Sequence, residues 1–234
     1  MHYVFIDTET TDATPERGVV EVGIVVTDEN FNVLREAESL IDPQRMISPA
    51  ASGVHGLTND DVKDSPTLEE YFSDSGPECY GGLIQGPAAL IGHRVSFDTH
   101  TLGRFVDGGF TEVCTLRHAR RLYPEADDHK LSTLIFALDL PRSAGAHRAL
   151  ADVYSAMYLA QHICERTGLT LPQLVEASKP PMEILLMPFG KHKGTPIAEM
   201  PKHYIEWALR EMKDLDRDLV HTLNLALEKK RSQR

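Results

Sequence analysis

Five residues with acid–base side chains stand in short segments whose composition suits catalysis by metal ions. Asp7 and Glu9 lie near the N-terminus, Asp98 lies mid-chain, and His147 precedes Asp152 by five positions. Carboxylates repel one another and are costly to desolvate, so the usual reason to gather them is to hold divalent cations. Two such ions about 3.5–4 Å apart are the standard device for in-line cleavage of a phosphodiester. The pattern predicts a site of this kind.

The elements that must position these side chains can be predicted from local patterns. Residues 2–8 are typical of a buried strand that ends at the first two acids. Because Asp7 and Glu9 are two apart on extended chain, both side chains leave the same face. Strand ends are the usual place for sites in α/β sheets. Taken alone, the pair is more typical of a solvated strand edge than of a catalytic site.

Asp152 is expected on a helix over residues 148–166. Apolar residues recur there at helical spacing, and at about 100° per residue Asp152 projects between Leu159 and Ile163, inside the apolar stripe. A carboxylate in that position costs several kcal/mol unless it is paired or metal-bound. A partner arginine or a buried helix cap would be the structural alternative to a metal.

Asp98 and His147 are each weaker signals by themselves. Asp98 opens a predicted helix over residues 97–106, where an acid facing the helix dipole is common. His147 lies just before the helix that carries Asp152. The positive end of that helix would favour a neutral ring able to accept a proton. An ordinary surface histidine is the alternative.

The remaining pattern indicates an α/β protein. Strands predicted at 19–27 and 33–41 complete an antiparallel meander, and shorter strands at 88–92 and 112–115 then alternate with helices. The other helices are expected at 48–54, 68–72, 115–122, 131–138, 201–212 and 215–230. Ser178-Lys179-Pro180-Pro181 predicts a boundary because a Pro-Pro pair ends a helix. We therefore expect a domain at 1–178 and a small one at 182–234, with a hairpin around residues 190–194.

Charge and composition limit the classes of function. The net charge is −11; residues 1–75 carry 4 basic and 16 acidic side chains, whereas residues 181–234 carry 10 and 8. Such an acidic surface argues against tight non-specific duplex binding, but not against gripping one strand end with the help of metal ions. No stretch approaches 18 apolar residues, and no secretory signal is evident. Cys79, Cys114 and Cys164 are expected to be reduced thiols in a cytoplasmic protein.

Together these segments resemble a known family. Phe5-Ile6-Asp7-Thr8-Glu9-Thr10, His93-Arg94-Val95-Ser96-Phe97-Asp98 and His147-Arg148-Ala149-Leu150-Ala151-Asp152 are similar to the three motifs of the DnaQ-like 3′→5′ exonucleases, subgroup DEDDh. Val54-His55-Gly56-Leu57-Thr58 resembles a segment of proofreading exonucleases. The resemblance covers roughly residues 1–170. Residues 187–194, with Tyr204 and Trp207, are similar to the C-terminal segment of a group of exodeoxyribonucleases. The resemblance implies a ribonuclease-H-like fold, a mixed five-stranded sheet flanked by helices, plus a small C-terminal appendage.

The resemblance also implies roles for individual residues. Two divalent metal ions, Mg²⁺ or Mn²⁺, would be held by Asp7, Glu9, Asp98 and Asp152, with Asp7 bridging both, and His147 would deprotonate the attacking water. The expected substrate-binding residues are Thr8, Thr10, His55, Arg94, Phe97, Lys191 and Lys193. Many family members have asparagine at the position of Arg94. Arg94 could contact a phosphate, or it could pair with an acid and disturb the site.

The sequence thus predicts a metal-dependent 3′→5′ exodeoxyribonuclease that acts on single-stranded or duplex DNA 3′ ends and serves in DNA repair. One alternative is an exoribonuclease acting on short RNA or transfer-RNA ends, which contacts to the 2′-hydroxyl would decide. A second alternative is a catalytically weak nucleic-acid-binding or polymerase-associated module. No membrane partner is expected, and the chain could be a monomer or a homodimer. The C-terminal aromatic residues could form a structural core or stack on bases.

Overall fold

The fold is built on a mixed five-stranded sheet. Its strands are β1 (His2–Thr10), β2 (Val19–Thr27), β3 (Val33–Leu40), β4 (Ala88–Gly92) and β5 (Thr111–Cys114), arranged in the order β3-β2-β1-β4-β5. β1, β2 and β3 pair antiparallel, and β4 and β5 add in parallel. The computed structural model describes residues 2–73, 88–106, 109–143, 147–213 and 215–232. The predicted α/β class and the mixed sheet flanked by helices are confirmed.

Ten α-helices are present in the described ranges. They are α1 (Pro49–His55), α2 (Asn59–Val62), α3 (Leu68–Tyr71), α4 (Ser96–Leu102), α5 (Thr115–Leu122), α6 (Leu131–Ala137), α7 (Ala149–Thr167), α8 (Leu171–Ser178), α9 (Lys202–Glu211) and α10 (Arg217–Ser232). Short 3₁₀ turns lie at Gly103–Val106, Gly190–His192 and Ile197–Glu199. Among the described helices, none is both long and apolar enough to cross a membrane.

The two faces of the sheet receive alternate residues of each strand. Val4 and Ile6 of β1 pack in a core with α3 and α4, whereas Tyr3 and Phe5 pack in a second core with α7 and α8. This alternation follows from the two-residue period of extended chain. It assigns Asp7 and Glu9 to the α7 face and Thr8 to the α4 face.

Gly23 allows α7 to lie unusually close to the sheet. A Cβ atom built on Gly23 would meet the backbone C of Ala149 at 2.5 Å and the N of Leu150 at 2.6 Å. These distances are far below van der Waals contact, so only glycine fits. The start of α7 therefore touches β2 directly opposite Asp7, whose register partner is Gly23.

The C-terminal unit, residues 182–232, has its own hydrophobic cluster. It includes Ile184, Met187, Ile197, Met200, Ile205, Ala208, Leu219, Leu223, Ala226 and Leu227. The expected hairpin takes the form of one antiparallel bridge between Leu186 and Pro196, closed by the Gly190–His192 turn. The proposed division of the chain at 178–182 stays a prediction, although this cluster is separate from those of the sheet.

An ion pair joins the C-terminal unit to α5. Arg117 donates to Asp218 through Nε at 2.5 Å and through Nη2 at 2.8 Å. The same guanidinium reaches the carbonyls of Ser178 at 2.9 Å and Pro180 at 3.1 Å, and Asp218 also accepts the backbone N–H of Met182. We call these contacts the interunit joint. They fix the linker and the start of α10 against the sheet.

Local signals placed most element boundaries within a few residues. Ser48 caps α1 as predicted, and Pro49 is its first residue. β1 is longer than expected and runs past both acids to Thr10, because its pairing with β2 continues to Val19. The helix predicted at 97–106 changes to a 3₁₀ turn at Gly103, where φ is +49°. α2 and α8 were not predicted.

Cys114 and Cys164 are buried free thiols, and Cys79 lies outside the described residues.

Candidate metal centre

Three carboxylates converge where β1 meets the first turn of α7. Oxygens of Asp7, Glu9 and Asp152 all lie within 4.8 Å of one another. Asp7 and Glu9 reach this place because they share the α7 face of β1. Asp152 reaches it because the first turn of α7 touches β2. We call these three residues the carboxylate cluster.

A buried glutamate holds the start of α7 in position. Glu21 of β2 is fully buried and lies opposite Glu9 in the antiparallel register. It accepts from Arg148 Nε at 2.8 Å and Nη2 at 2.5 Å, and from the Ala149 N–H at 2.9 Å. Glu21 therefore caps one free amide at the start of the helix, and the Arg148 guanidinium neutralises this second acid on the same face. Like charges directly opposite on paired strands are otherwise destabilising.

Asp98 lies beside the carboxylate cluster and is held by Thr8. It is 3% exposed, and its Oδ1 accepts from the Thr8 N–H at 2.9 Å and the Thr8 hydroxyl at 2.8 Å. Asp98 is not among the three residues whose oxygens converge. It still acts on Asp7 electrostatically, because its charge is one of the causes that raise the pKa of Asp7. Its predicted role as a metal ligand stays a prediction.

The acids of the site have raised pKa values. Burial and then the neighbouring carboxylates, Asp98 first, raise the pKa of Asp7 well above its ordinary value. Burial, with Asp152 next, raises the pKa of Glu9 to about 8. Burial raises the pKa of Asp98 to about 7 against the opposing hydrogen bonds from Thr8, and also raises that of Asp152. The common cause is burial, and neighbouring negative charge adds to it for Asp7, Glu9 and Asp152.

The donor set suits a hard divalent cation. In the described ranges, no lysine or arginine forms an ion pair with Asp7, Glu9 or Asp152. Carboxylate oxygens are the ligands that Mg²⁺, Mn²⁺ and Ca²⁺ prefer, and a bound cation would remove the repulsion that raises these pKa values. Asp7, Glu9 and Asp152 therefore fit a metal site.

His147 stands exposed at the edge of the cluster. Its φ is +63°, in the left-handed region that a non-glycine residue rarely adopts, and it precedes the N-cap of α7. Its charge is the largest cause opposing the raised pKa of Asp152. Strained backbone of this kind is typical of functional positions. His147 therefore lies beside Asp152, and its role as the base that deprotonates water stays a prediction.

The predicted substrate-binding residues of the N-terminal region divide into buried and exposed ones. Thr8, Thr10 and His55 are buried; both donors of Thr8 are used on Asp98, and His55 Nδ1 accepts from the Leu57 N–H. Of these three side chains, that of Thr8 holds Asp98, and that of Thr10 donates to the carbonyl of Asp12. Arg94 is exposed with φ +73° and forms no ion pair in the described part of the chain.

Two basic residues flank the Phe97 ring. The guanidinium carbon of Arg17 lies 3.8 Å from the ring centroid, and that of Arg94 lies 6.0 Å away. Arg17 also donates to Thr101 and to the carbonyl of Phe97, which ties the loop after β1 to α4. The charge of Arg17 is among the causes that lower the pKa of Asp98. Because Arg94 forms no ion pair in the described residues, it does not disturb the acids by pairing with them.

A cleft of about 750 Å³ opens beside the site. His147, Asp152 and Arg94 line one part of it, and Ile184, Leu186, Met187, Pro188 and Lys193 of the C-terminal unit line another. Lys193 is exposed at this cleft, whereas Lys191 is exposed outside it. Phe189 and Trp207 are exposed, and Tyr204 lies between Trp207 and His192. The predicted tail residues are thus partly core and partly surface.

Sequence reasoning missed Glu21, Arg148 and Arg17. One signal was available for Glu21, since it is the only charged residue in the β-branched run of β2. An acid in a strand buried on both faces needs a partner. No local signal identifies Arg148 as that partner, because the two residues are 127 positions apart.

Comparisons with known proteins cover most of the chain. The family model described as "RNase_T: Exonuclease" matches residues 4–160, and one described as "Putative quorum-sensing-regulated virulence factor" matches residues 182–214. The chain is 28% identical over 229 residues to exodeoxyribonuclease 10 of Escherichia coli K12, covering 95% of this chain and 97% of that protein. It is also 28% identical to DNA polymerase III PolC-type of Bacillus cereus, covering 67% of this chain and 11% of that protein.

Solved structures agree with the fold. The structure of exonuclease X in complex with 5′ overhanging duplex DNA is 27% identical and superimposes with a TM-score of 0.61, covering 75% of this chain and 99% of that one. The structure of Escherichia coli exonuclease I in complex with a dT13 oligonucleotide superimposes with a TM-score of 0.60 at 20% identity. The match covers 75% of this chain and 43% of that one.

Proposed function

The chain belongs to the exonuclease family whose model matches residues 4–160, and on that premise we propose that this nuclease removes nucleotides from 3′ ends of DNA. The observation that carries the proposal is the convergence of the Asp7, Glu9 and Asp152 oxygens within 4.8 Å, with His147 at their edge. The choice of DNA is supported by the relatives, which include an exodeoxyribonuclease and a structure with overhanging duplex DNA. The 3′→5′ direction is supported by the three motifs.

The products would be a nucleoside 5′-monophosphate and a shortened strand with a new 3′-hydroxyl. Water attacks the terminal phosphorus, and the bond from phosphorus to the 3′-oxygen of the next nucleotide breaks. The attacking water gives its proton to the His147 ring. The leaving oxygen takes a proton from solvent.

Asp7, Glu9 and Asp152 would hold the divalent ions, with Asp98 completing the second position. Two ions, Mg²⁺ or Mn²⁺, would activate the water and stabilise charge on the leaving oxygen. Thr8 fixes Asp98 through two hydrogen bonds, and Glu21 fixes the start of α7 through Arg148 and Ala149. These contacts hold Asp98 and the first turn of α7 in place, which supports the proposal of a metal site at these acids.

We also propose two domains, 1–178 for hydrolysis and 182–234 as a smaller one attached to it. A role in DNA repair, a cytoplasmic location and a monomeric or homodimeric state remain predictions.

The test is digestion of 5′-labelled DNA and RNA of one sequence, single-stranded and recessed duplex, with Mg²⁺, Mn²⁺ or EDTA. Wild-type protein should give a metal-dependent ladder that shortens from the 3′ end of DNA. Asp7→Asn and His147→Ala should abolish or strongly reduce it. Asp60→Asn, at a highly exposed acid of α2, is the matched control and should leave it unchanged.

Other outcomes would change the proposal. Faster shortening of RNA would keep the site and change the substrate. Binding of DNA without shortening under any metal would contradict catalysis and favour a binding module.

A further inference from the structure

The cleft beside the carboxylate cluster has walls from two parts of the chain. One wall belongs to the sheet unit and includes Arg94 and Lys130, and the other belongs to the C-terminal unit and includes Met187 and Lys193. Its volume, about 750 Å³, lies within the range of about 300–1,000 Å³ typical of ligand sites. Because His147 and Asp152 line its end, whatever enters the metal centre can continue into this cleft.

The interunit joint makes the cleft a fixed feature. Arg117 and Asp218 are largely buried, with side chains 13% and 3% exposed. The linker carbonyls of Ser178 and Pro180 are held by the same guanidinium, and Arg217 adds a bond to Ser178 at 2.6 Å. The second wall is therefore held against the first by charged hydrogen bonds rather than by a free tether.

The cleft combines an apolar floor with a charged rim. Leu116, Leu131 and Met187 supply apolar surface. Four cations line the cleft, namely Arg94, Arg120, Lys130 and Lys193, against three acids, namely Asp127, Asp128 and Asp152. Apolar surface for bases beside cations for phosphates is the arrangement by which proteins hold single-stranded nucleic acid.

Two of the four cations are the best placed to attract phosphate. Lys193 forms no ion pair or side-chain hydrogen bond in the described ranges, and its charge reaches across the cleft, where it is among the lesser causes that lower the pKa values of Asp128 and His129. Lys130 is 79% exposed and lies 3.9 Å from Asp128. Arg120, in contrast, is engaged by Asp216 at 3.0 Å.

We propose that this cleft binds the single-stranded DNA segment immediately 5′ to the terminal nucleotide, with Lys130 and Lys193 contacting its phosphates from opposite walls. The proposal rests on the proposed function and adds a substrate preference to it. Lys130 and Lys193 then hold the phosphates of one strand, so the enzyme prefers ends that carry a few unpaired nucleotides. The C-terminal unit is then part of the substrate site.

The test compares two charge-matched double variants. Lys130→Glu/Lys193→Glu changes the cleft, whereas Lys63→Glu/Lys213→Glu makes the same change of charge at exposed positions outside it. Binding of labelled oligothymidylate is measured by fluorescence anisotropy in EDTA at several salt concentrations. For two lost phosphate contacts, the slope of log affinity against log salt should become less steep by about 1.4 in the cleft variant alone.

Activity supplies the second readout. The cleft variant should raise the KM for oligothymidylate far more than the KM for the p-nitrophenyl ester of thymidine 5′-monophosphate, which has no strand to place in the cleft. Equal binding by the two double variants would overturn the cleft proposal while leaving the proposed function intact. Loss of ester hydrolysis in the cleft variant would also overturn it, because the effect would then lie in the catalytic centre or the fold. Absence of hydrolysis of both substrates by wild-type protein would instead overturn the proposed function.

A second double variant controls for misfolding caused by the charge reversal. Lys130→Gln/Lys193→Gln removes the charges without adding acids, and its melting temperature should match that of wild type. It should lose the same salt-dependent part of the affinity. Full affinity in this pair would count against phosphate contacts by either lysine.

Discussion

The carboxylate cluster and the interunit joint use charge in opposite ways. At the joint, Asp218 is buried with a guanidinium in double contact, and although burial opposes this, hydrogen bonds from Arg117 and from the Met182 N–H lower the pKa of its carboxyl. At the cluster, three acids face one another without such a partner, and the pKa values of all three are raised. Paired charge holds two units together, whereas unpaired charge prepares a place for a cation.

This difference gives a criterion that separates buried acids with a structural role from buried acids that can hold a metal. Glu21 is as buried as any acid in the described residues, but Arg148 and a helix amide satisfy it, so it belongs with the joint as a structural acid. Asp7 is the opposite case. Neighbouring acids can therefore have different roles, and their hydrogen-bond partners distinguish them.

The largest expected effect is on stability at the joint. Asp218→Leu should lower the free energy of unfolding by about 3–5 kcal/mol, because it leaves the Arg117 guanidinium buried without its anion. Urea denaturation followed by circular dichroism measures this. Arg117→Met/Asp218→Leu removes both charges and should cost less than the two single changes together. Additive costs would mean that the two side chains are not coupled and that the joint is held by packing.

The next effect is on activity at the cluster. Asp7→Asn should reduce kcat by roughly 10²–10³-fold or more, since it removes a ligand and the charge it supplies. In EDTA the same change should raise the melting temperature, because a like-charge repulsion disappears. Scanning calorimetry with and without Mg²⁺ checks the second part. A lower melting temperature in EDTA would show that Asp7 stabilises the fold, and would contradict its assignment as an unpaired acid.

The dependence of stability on pH should follow from the raised pKa values. In EDTA, Glu9 titrates near 4.5 when unfolded and at about 8 when folded, so the folded protein binds more protons between these values. Stability therefore falls as pH rises from about 4.5 to 8 and levels off above. Mg²⁺ should weaken or reverse this slope, because it binds the deprotonated acids. Melting curves across this range, for wild type and Asp7→Asn, provide the measurement; a flat profile in wild type would contradict the expectation.

The smallest effect concerns Arg94. Its φ of +73° lies in the left-handed region, which asparagine tolerates better, so Arg94→Asn should stabilise the protein by roughly 1 kcal/mol. Gln44→Asn, at another exposed position with φ +51°, is the matched control. If Arg94 contacts DNA, its change should also weaken binding of an oligonucleotide, whereas the control should not. Equal binding by both variants would limit Arg94 to a conformational role.

Much of the fold and the site could be predicted because the signals are local. Each of these signals depends only on residues close together in the sequence. They are the β-branched run of β2, the Ser48-Pro49 start of α1 and the apolar spacing of α7. The same holds for the acids of the carboxylate cluster, since each sits in its own short motif.

The rest depends on contacts between distant residues. Three features join segments that are far apart in the chain. They are the pairing of Glu21 with Arg148, the contact of Arg117 with Asp218, and the position of Lys130 and Lys193 on one cleft. α2 was missed because it has only four residues, too few to show a helical period. A single sequence contains the residues for these contacts but not their proximity.

Gly23 makes the enzyme vulnerable at a position that has no functional group. Any amino acid that replaces it must place a Cβ where the backbone of Ala149 and Leu150 already lies. A random mutational screen for loss of nuclease activity should therefore recover Gly23 alongside the acids, although no substitution there touches metal or DNA. In a population of variant genes, this codon should accept only silent changes for as long as the activity is under selection.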